Sequence, residues 1–202
     1  MKKLFCTLLS AAAAVALLCG FTPSPQENSA GAGLITKTYE TAEAISSLSV
    51  SDKYADVTVK ADDVDHVVVE YSYNNSYNDA FGTGGELYSF TIAGPSLNIQ
   101  GLKGDASMSV NNSKCICTMT VKLPRRAFAG LTVDTSNGNI TIQDMTSQSN
   151  TLTTTNGNIS ITGGSLDNLN ATANNGKVEV NNLLTQTFAA STRNGRISQA
   201  RS

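Results

Sequence analysis

The sequence predicts an all-β protein: a single-stranded, right-handed β-solenoid with rungs of about 19 residues, preceded by an irregular β-rich N-terminal part. Three observations carry that prediction. Four Asn-Gly pairs, Asn137-Gly138, Asn156-Gly157, Asn175-Gly176 and Asn194-Gly195, recur every 19 residues with no insertion or deletion. The residues flanking each pair alternate apolar with Thr, Ser or Asn, the period of a half-buried strand. Beyond the N-terminal segment no helical periodicity continues. Charged residues make up only 15% of the chain and Trp is absent, which suits many short strands and turns better than helices.

The repeat is visible column by column. Aligned on the Asn, Val133, Leu152, Ala171 and Ala190 fall together, as do Ile140, Ile159, Val178 and Ile197. A third inward column holds Ile142, Ile161 and Val180 and ends at the polar Gln199. Each unit therefore reads as strand, Asn-Gly corner, strand, short connection. Asn-Gly is a tight-turn signal because both residues tolerate positive φ. The pairs could close successive hairpins or form the corners of stacked rungs. Constant length favours the rungs, since a one-residue slip in a stack moves every side chain to the wrong column, whereas hairpin loops drift in length.

The N-terminal segment is an address rather than part of the fold. Met1-Lys2-Lys3 followed by an apolar run from Leu4 to Leu18 has the form of a secretory signal. Ala30-Gly31-Ala32 is the best small-residue cleavage site, so residues 1–32 read as signal peptide and linker. Cys19 is a candidate lipid-attachment residue, although Leu18 stands where that signal wants a small side chain. The formal net charge is −2, and loss of Lys2 and Lys3 makes it more negative, which gives no general attraction to nucleic acid or anionic membranes. The exported chain is expected to be secreted or at the cell surface, without spanning the membrane.

Residues 33–130 then read as the β-rich N-terminal part and 131–202 as the repeats, the two continuous in one domain. Leu48-Ser49-Val50 and Val57-Thr58-Val59 reproduce the repeat's inward spacing, with Tyr54-Ala55 at the corner, as a degenerate first rung. Further alternating faces follow: Val67, Val69, Tyr71 and Tyr73; Tyr88, Phe90 and Ile92; Leu97 and Ile99; and Cys115, Cys117, Met119, Val121 and Leu123. Pro124 ends the last of them, because proline cannot donate to a central ladder.

The stretch Val121-Lys122-Leu123-Pro124, its short spacer and the run Leu131 to Ile142 resemble the DUF4097 putative-adhesin family, in which a Leu-Pro or Val-Pro precedes serial strand, glycine-corner, strand repeats. The resemblance covers residues 45–200 and implies a surface or envelope β-solenoid with no established activity. Where the family's corner is Ser-Gly-Asp, this chain has Asn-Gly-Asn, Asn-Gly-Lys or Asn-Gly-Arg, and so lacks the corner acid.

No constellation of catalytic residues emerges. His66 is the only histidine and follows Asp62, Asp63 and Asp65, but the spacing does not match a calcium loop and a solvated turn is expected. Cys115 and Cys117 lie two apart on one strand face, at or beyond comfortable disulfide reach, and are expected as buried thiols. Asp134, Asp144, Asp167 and Glu179 occupy different columns and do not form the paired carboxylates of a glycosidase. No metal or cofactor is expected. The outward rows are Thr132, Thr151 and Asn170; Asp134, Thr153, Thr172 and Ser191; and Asn139, Asn158, Lys177 and Arg196. Such rows could bind glycans or simply be solvated strand surface, and the basic residues Lys177, Arg193 and Arg196 argue against an ice-ordering lattice. Tyr71, Tyr73 and Tyr77 could stack on sugars but are expected to pack in the core. Arg193, Arg196 and Arg201 read first as a polar cap on the open end and second as a basic docking patch. The functional expectation is a non-catalytic adhesin or binding scaffold whose partner is a glycan or an envelope protein. A carbohydrate-active solenoid enzyme and an envelope structural protein are the alternatives. The eight corner residues shape the scaffold rather than a site.

Overall fold

Period-two alternation becomes strand throughout the described chain. A computed structural model describes residues 34–74, 87–101 and 116–200. Within them the strands are β1 (Leu34–Thr41), β2 (Ser47–Asp52), β3 (Asp56–Asp62), β4 (Val67–Asn74), β5 (Tyr88–Ala93), β6 (Ser96–Gly101), β7 (Cys117–Pro124) and β8 (Ala127–Thr135). The remaining strands are β9 (Ile140–Gln143), β10 (Thr146–Thr154), β11 (Ile159–Thr162), β12 (Ser165–Ala173), β13 (Val178–Asn181), β14 (Thr187–Thr192) and β15 (Ile197–Ala200). The signal segment with Cys19, together with Tyr77, Cys115 and Arg201, lies outside the described residues.

Two mixed sheets form. One runs β1-β4-β7-β3-β9-β11-β13-β15, the other β14-β12-β10-β8-β2-β6-β5. From β8 onward each repeat contributes one strand to each sheet, in parallel register. Val133 pairs with Leu152, and Leu152 with Ala171. Ile140 pairs with Ile159, and Ile159 with Val178. The result is β-solenoid-like: every repeat places the same residue in the same column, and those columns meet between the sheets in one hydrophobic cluster that runs from Tyr39 to Leu183.

The N-terminal part is more regular than expected, and its place in the stack differs. β2 and β3 do form a rung of the same build, with Val50 opposite Val133 and Val57 opposite Ile140. That rung is not at the end. β6 and β7 pair with its other side, Ile99 beside Val50 and Val121 beside Val59. The spatial order is thus β6/β7, β2/β3, β8/β9 and then the repeats, so the first rung made is the second in the stack. Beyond β6 and β7 the antiparallel strands β1, β4 and β5 close that end. Their aromatic rings cover it: Tyr39 stacks on Phe90 at 4.1 Å, and Tyr71 meets Tyr88 edge-on at 4.9 Å. Repeat stacks need such a terminal cover for the apolar face of the last unit.

The four Asn-Gly corners hold their residues for a different reason from the one the sequence suggests. None of them takes positive φ; among the described residues that conformation occurs at Asp144, Asn182, Gly94, Gly163 and Gly164. The corner glycines are needed because successive rungs approach closely there. A Cβ on Gly157, Gly176 or Gly195 would fall far inside contact distance of the preceding corner's carbonyl oxygen. The asparagines form a ladder, each side-chain amide donating to the Oδ1 one rung earlier: Asn156 to Asn137, Asn175 to Asn156 and Asn194 to Asn175, all at 2.8 Å. A second ladder follows, in which Asn158 N donates to Asn139 Oδ1 and Lys177 N to Asn158 Oδ1, both at 2.9 Å.

Beneath the corners lies a third ladder. Thr154 and Thr192, one buried and one half-buried, donate to the carbonyls of Gly138 and Gly176 at 2.9 Å. Ala173 stands at the same position of the intervening rung and offers no donor to Gly157 O. Ala173→Thr is therefore expected to stabilise the protein by about 1 kcal/mol, the net value of one such bond. In a domain of this size that raises Tm by roughly 2–4 °C in a calorimetric scan; a lowered Tm would show that the column has no room for the extra atoms.

The opposite corner carries a signal that the sequence reading passed over. Asp144, Gly163 and Asn182 also lie 19 residues apart, and all three are left-handed, at φ of 53°, 69° and 54°. Asp, Gly and Asn share little as side chains, yet they are the residues that adopt this conformation most readily.

Candidate functional site

The two sheets present very different outer faces. On the eight-stranded sheet, Lys122 pairs with Glu70 and Lys60 with Asp62, both at 2.7 Å, and Glu179 pairs at 3.1 Å with Lys177 of the adjoining corner. Lys60 and Lys122 are register neighbours, and the two acids offset their repulsion. The outer face of the seven-stranded sheet is neutral. Its strands bring Ser49, Thr132, Thr151 and Asn170 into one row and Ser51, Asp134, Thr153 and Thr172 into the next. The rows continue to Asn98 and Gln100 on β6, and to Ala189 and Ser191 on β14. Asp134 is the one charged side chain in these rows, and Asp167 sits beyond them at the strand bulge.

Bulges in β8, β10 and β12 shape the face. The pairing steps over Ala129, Gln148 and Asp167, so that the inward residues before and after each bulge are three apart instead of two. Between the bulge and the corner, two outward rows flank a trough of about 340 Å³ that runs along the stack, open to solvent. Ser149, Asn168 and Thr187 form one bank, and Thr151, Asn170 and Ala189 the other. The main chain at Asn150, Leu169 and Phe188 makes the floor, the first two side chains being buried beneath it.

The banks differ in how they are held. Thr187 Oγ1 donates to Asn168 Oδ1 at 2.9 Å, and Asn168 Nδ2 donates to the Gln148 carbonyl at 3.1 Å, so that bank is fixed. Under it, buried Asn150 donates from Nδ2 to the carbonyls of Ser147 and Asn168, both at 3.2 Å. Asn150 Oδ1 and the nearby Ser147 Oγ have no hydrogen-bond partner among the described residues. The flanking rungs carry Leu131 and Leu169 in the Asn150 column, so this buried amide is peculiar to one rung. On the facing bank Thr151 and Asn170 are exposed, and their side chains make no hydrogen bond among the described residues.

The structure places the other candidates apart. Asp134 lies on the neutral face, Glu179 on the charged face, Asp144 at the second corner and Asp167 at the bulge. Lys177 and Arg196 lie at the corners and not on either outer face, and Arg193 and Arg196 are exposed beside β14 and β15, the edge strands of the two sheets among the described residues. Tyr71 and Tyr73 are buried in the aromatic cover. Cys117 is buried, its Sγ 3.1 Å from the Tyr88 hydroxyl. Among the described residues no group of three His, Cys, Asp or Glu could hold a metal ion, and no helix is long and apolar enough to cross a membrane.

His66 is a surface residue with a polarised ring. Asp65 hydrogen-bonds its Nδ1, and this raises the His66 pKa above its ordinary value of 6.5. Glu40, 3.6 Å from Nε2, adds to the effect. Folding thus favours the protonated form. Its contribution is complete below the unfolded-chain pKa and vanishes as pH rises through the higher folded value. An NMR titration is expected to put the His66 midpoint above 6.5 and to lower it in Asp65→Asn; an unshifted midpoint would mean the pair does not persist in solution.

Comparison with known proteins adds the following. A model of the Toastrack DUF4097 family matches residues 45–200. The fold is similar to that of a putative cell adhesion protein from Clostridium sporogenes, at 8% identity and a TM-score of 0.56, over 84% of this chain and 100% of that one. A putative adhesin from Bacteroides fragilis aligns at 14% identity with a TM-score of 0.37, over 90% of this chain and 100% of that one. Another, from Parabacteroides merdae, aligns at 12% identity with a TM-score of 0.28, over 84% and 97%. Identities this low speak to the fold alone. No curated protein matches.

Proposed function

The chain belongs to the Toastrack DUF4097 family, and from that premise we propose that it is an exported, non-catalytic surface protein, an adhesin or binding scaffold that engages its partner through the outer face of the seven-stranded sheet. The observation that carries this reading is the contrast between the two outer faces. The ion-paired face is what solvation alone accounts for. The other keeps its rows free of charge with the single exception of Asp134, and it offers many hydrogen-bonding groups along its rows. Rigid strands hold those groups in place, as a binding surface requires.

The secretory signal of residues 1–32 supports export, followed by secretion or, if Cys19 is acylated, tethering at the cell surface. We take the winding of the chain to be single-stranded and right-handed, the hand that crossover connections between parallel strands adopt. The dispersal of Asp134, Asp144, Asp167 and Glu179 over separate surfaces speaks for binding over glycoside hydrolysis, which needs two acids converging on one bond.

Adhesion of cells to beads coated with the exported protein tests the reading. The native protein is expected to retain cells. Thr132→Arg/Thr153→Arg, which puts charge on the neutral face, is expected to release them, whereas Thr162→Arg on the opposite sheet is not. Retention that is absent for the native protein, or equal for both variants, would overturn it.

A further inference from the structure

We propose that the trough between the two outward rows of β10, β12 and β14 binds an extended, neutral polysaccharide lying along the stack and across the strands. This rests on the reading of the seven-stranded sheet as the binding face and names the class of ligand.

The geometry suits a polymer. Because the three strands are parallel and in register, the same pair of banks recurs at every rung, about 4.8 Å apart. That repeat is close to the length of one pyranose ring along an extended glycan, so successive sugars meet equivalent positions, all of them polar except Ala189. The chemistry suits a neutral one. Hydroxyls and amides both donate and accept, as sugar hydroxyls do. The trough holds no Lys or Arg to attract a uronate, sulfate or phosphate polymer, and Asp134 on the adjoining row would repel one.

The banks are also in a suitable state. Asn168 is fixed by Gln148 and Thr187, and its main chain is tied from below by Asn150, so one side costs little to order on binding. Thr151 and Asn170 opposite are free to bond a ligand. The banks themselves carry no aromatic side chain, half-buried Phe188 belonging to the floor, and the polar groups of Ser149, Thr151, Asn168, Asn170 and Thr187 supply most of the contacts. Binding is then weak per sugar and accumulates with chain length, as expected for repeated contacts along one polymer.

Affinity electrophoresis of the exported protein through gels containing hydroxyethyl cellulose, galactomannan or polygalacturonate decides the matter. Retardation by at least one neutral polymer and not by polygalacturonate is expected, with glucose and mannose failing to compete. Thr151→Val/Asn170→Val removes two bonding groups while keeping strand-compatible side chains, and is expected to weaken retardation about tenfold. Thr162→Val on the opposite sheet is expected to leave it unchanged, and unaltered melting of both variants shows that they fold. Passage through both neutral gels without retardation overturns the proposal, as does equal retardation of the double variant or stronger retardation by polygalacturonate. Bead adhesion of the same samples separates this failure from failure of the parent reading. Adhesion without retardation removes only the polysaccharide, whereas loss of adhesion in the native protein removes the binding face as well.

Discussion

Gly157→Ala is expected to destabilise the protein by about 3 kcal/mol or more, the upper range for forcing extra atoms into a packed site. The added Cβ would press on the carbonyl of Gly138, which is backbone and cannot swing away as a flexible side chain could. Relief requires the two rungs to part at the corner. Parting stretches the Asn156–Asn137 bond and the Thr154 bond to Gly138 O, the two contacts that hold the rungs at their closest. The strain does not stay local. Ile159 begins β11 two residues later, buried between Ile140 and Val178, and its register follows from where the corner places it. Asn156→Ala at the same corner is the comparison. It deletes an exposed ladder bond and leaves the backbone approach untouched, so a loss of about 1 kcal/mol is expected. Urea denaturation of both variants measures the difference. Equal effects would mean that turn conformation, and not close approach, selects glycine here.

The same corner shows how far the sequence could be read. Its period was legible because stacking demands constant length, and the inward columns were legible because burial imposes alternation. The reason for glycine was not, since a residue chosen for positive φ and one chosen for lack of a Cβ are written with the same letter. Asp144, Gly163 and Asn182 escaped for the converse reason: one backbone requirement is met there by three unlike side chains. The neutral face was hidden by numbering. Lys177 and Arg196 follow the Asn-Gly pairs in the outward alternation, and only the fold shows that they stand at corners, off the face that Thr151 and Asn170 occupy. The carboxylate of Asp56, which accepts from Asn139 N at a separation of 83 residues, marks what no local pattern contains: the first rung lies beside the first Asn-Gly corner and not beside the strands next to it in sequence.

That displaced rung yields the other large effect. Val59→Lys is expected to unfold the whole protein, including repeats more than a hundred residues away in sequence. Val59 is fully buried, with Val121 of β7 on one side and Ile142 of β9 on the other. An ammonium there has no counter-ion within the apolar column, and the cost of leaving it buried is on the order of 5 kcal/mol. Domains of this kind are stable by roughly 5–15 kcal/mol in total. If the N-terminal strands were a separate preface, the repeats from β8 onward would survive such a change. Because β2 and β3 instead lie between β6/β7 and β8/β9, splitting them exposes Leu131, Val133, Ile140 and Ile142 on one side and the aromatic-covered end on the other. Thr58→Lys, one residue earlier, points out of the sheet and is expected to change stability by no more than about 0.5 kcal/mol. Hydrogen exchange distinguishes global from local loss. Amides of β10–β13 are expected to lose protection in Val59→Lys together with those of β2 and β3; protection retained in β10–β13 alone would show that the repeats fold without the rung threaded beneath them.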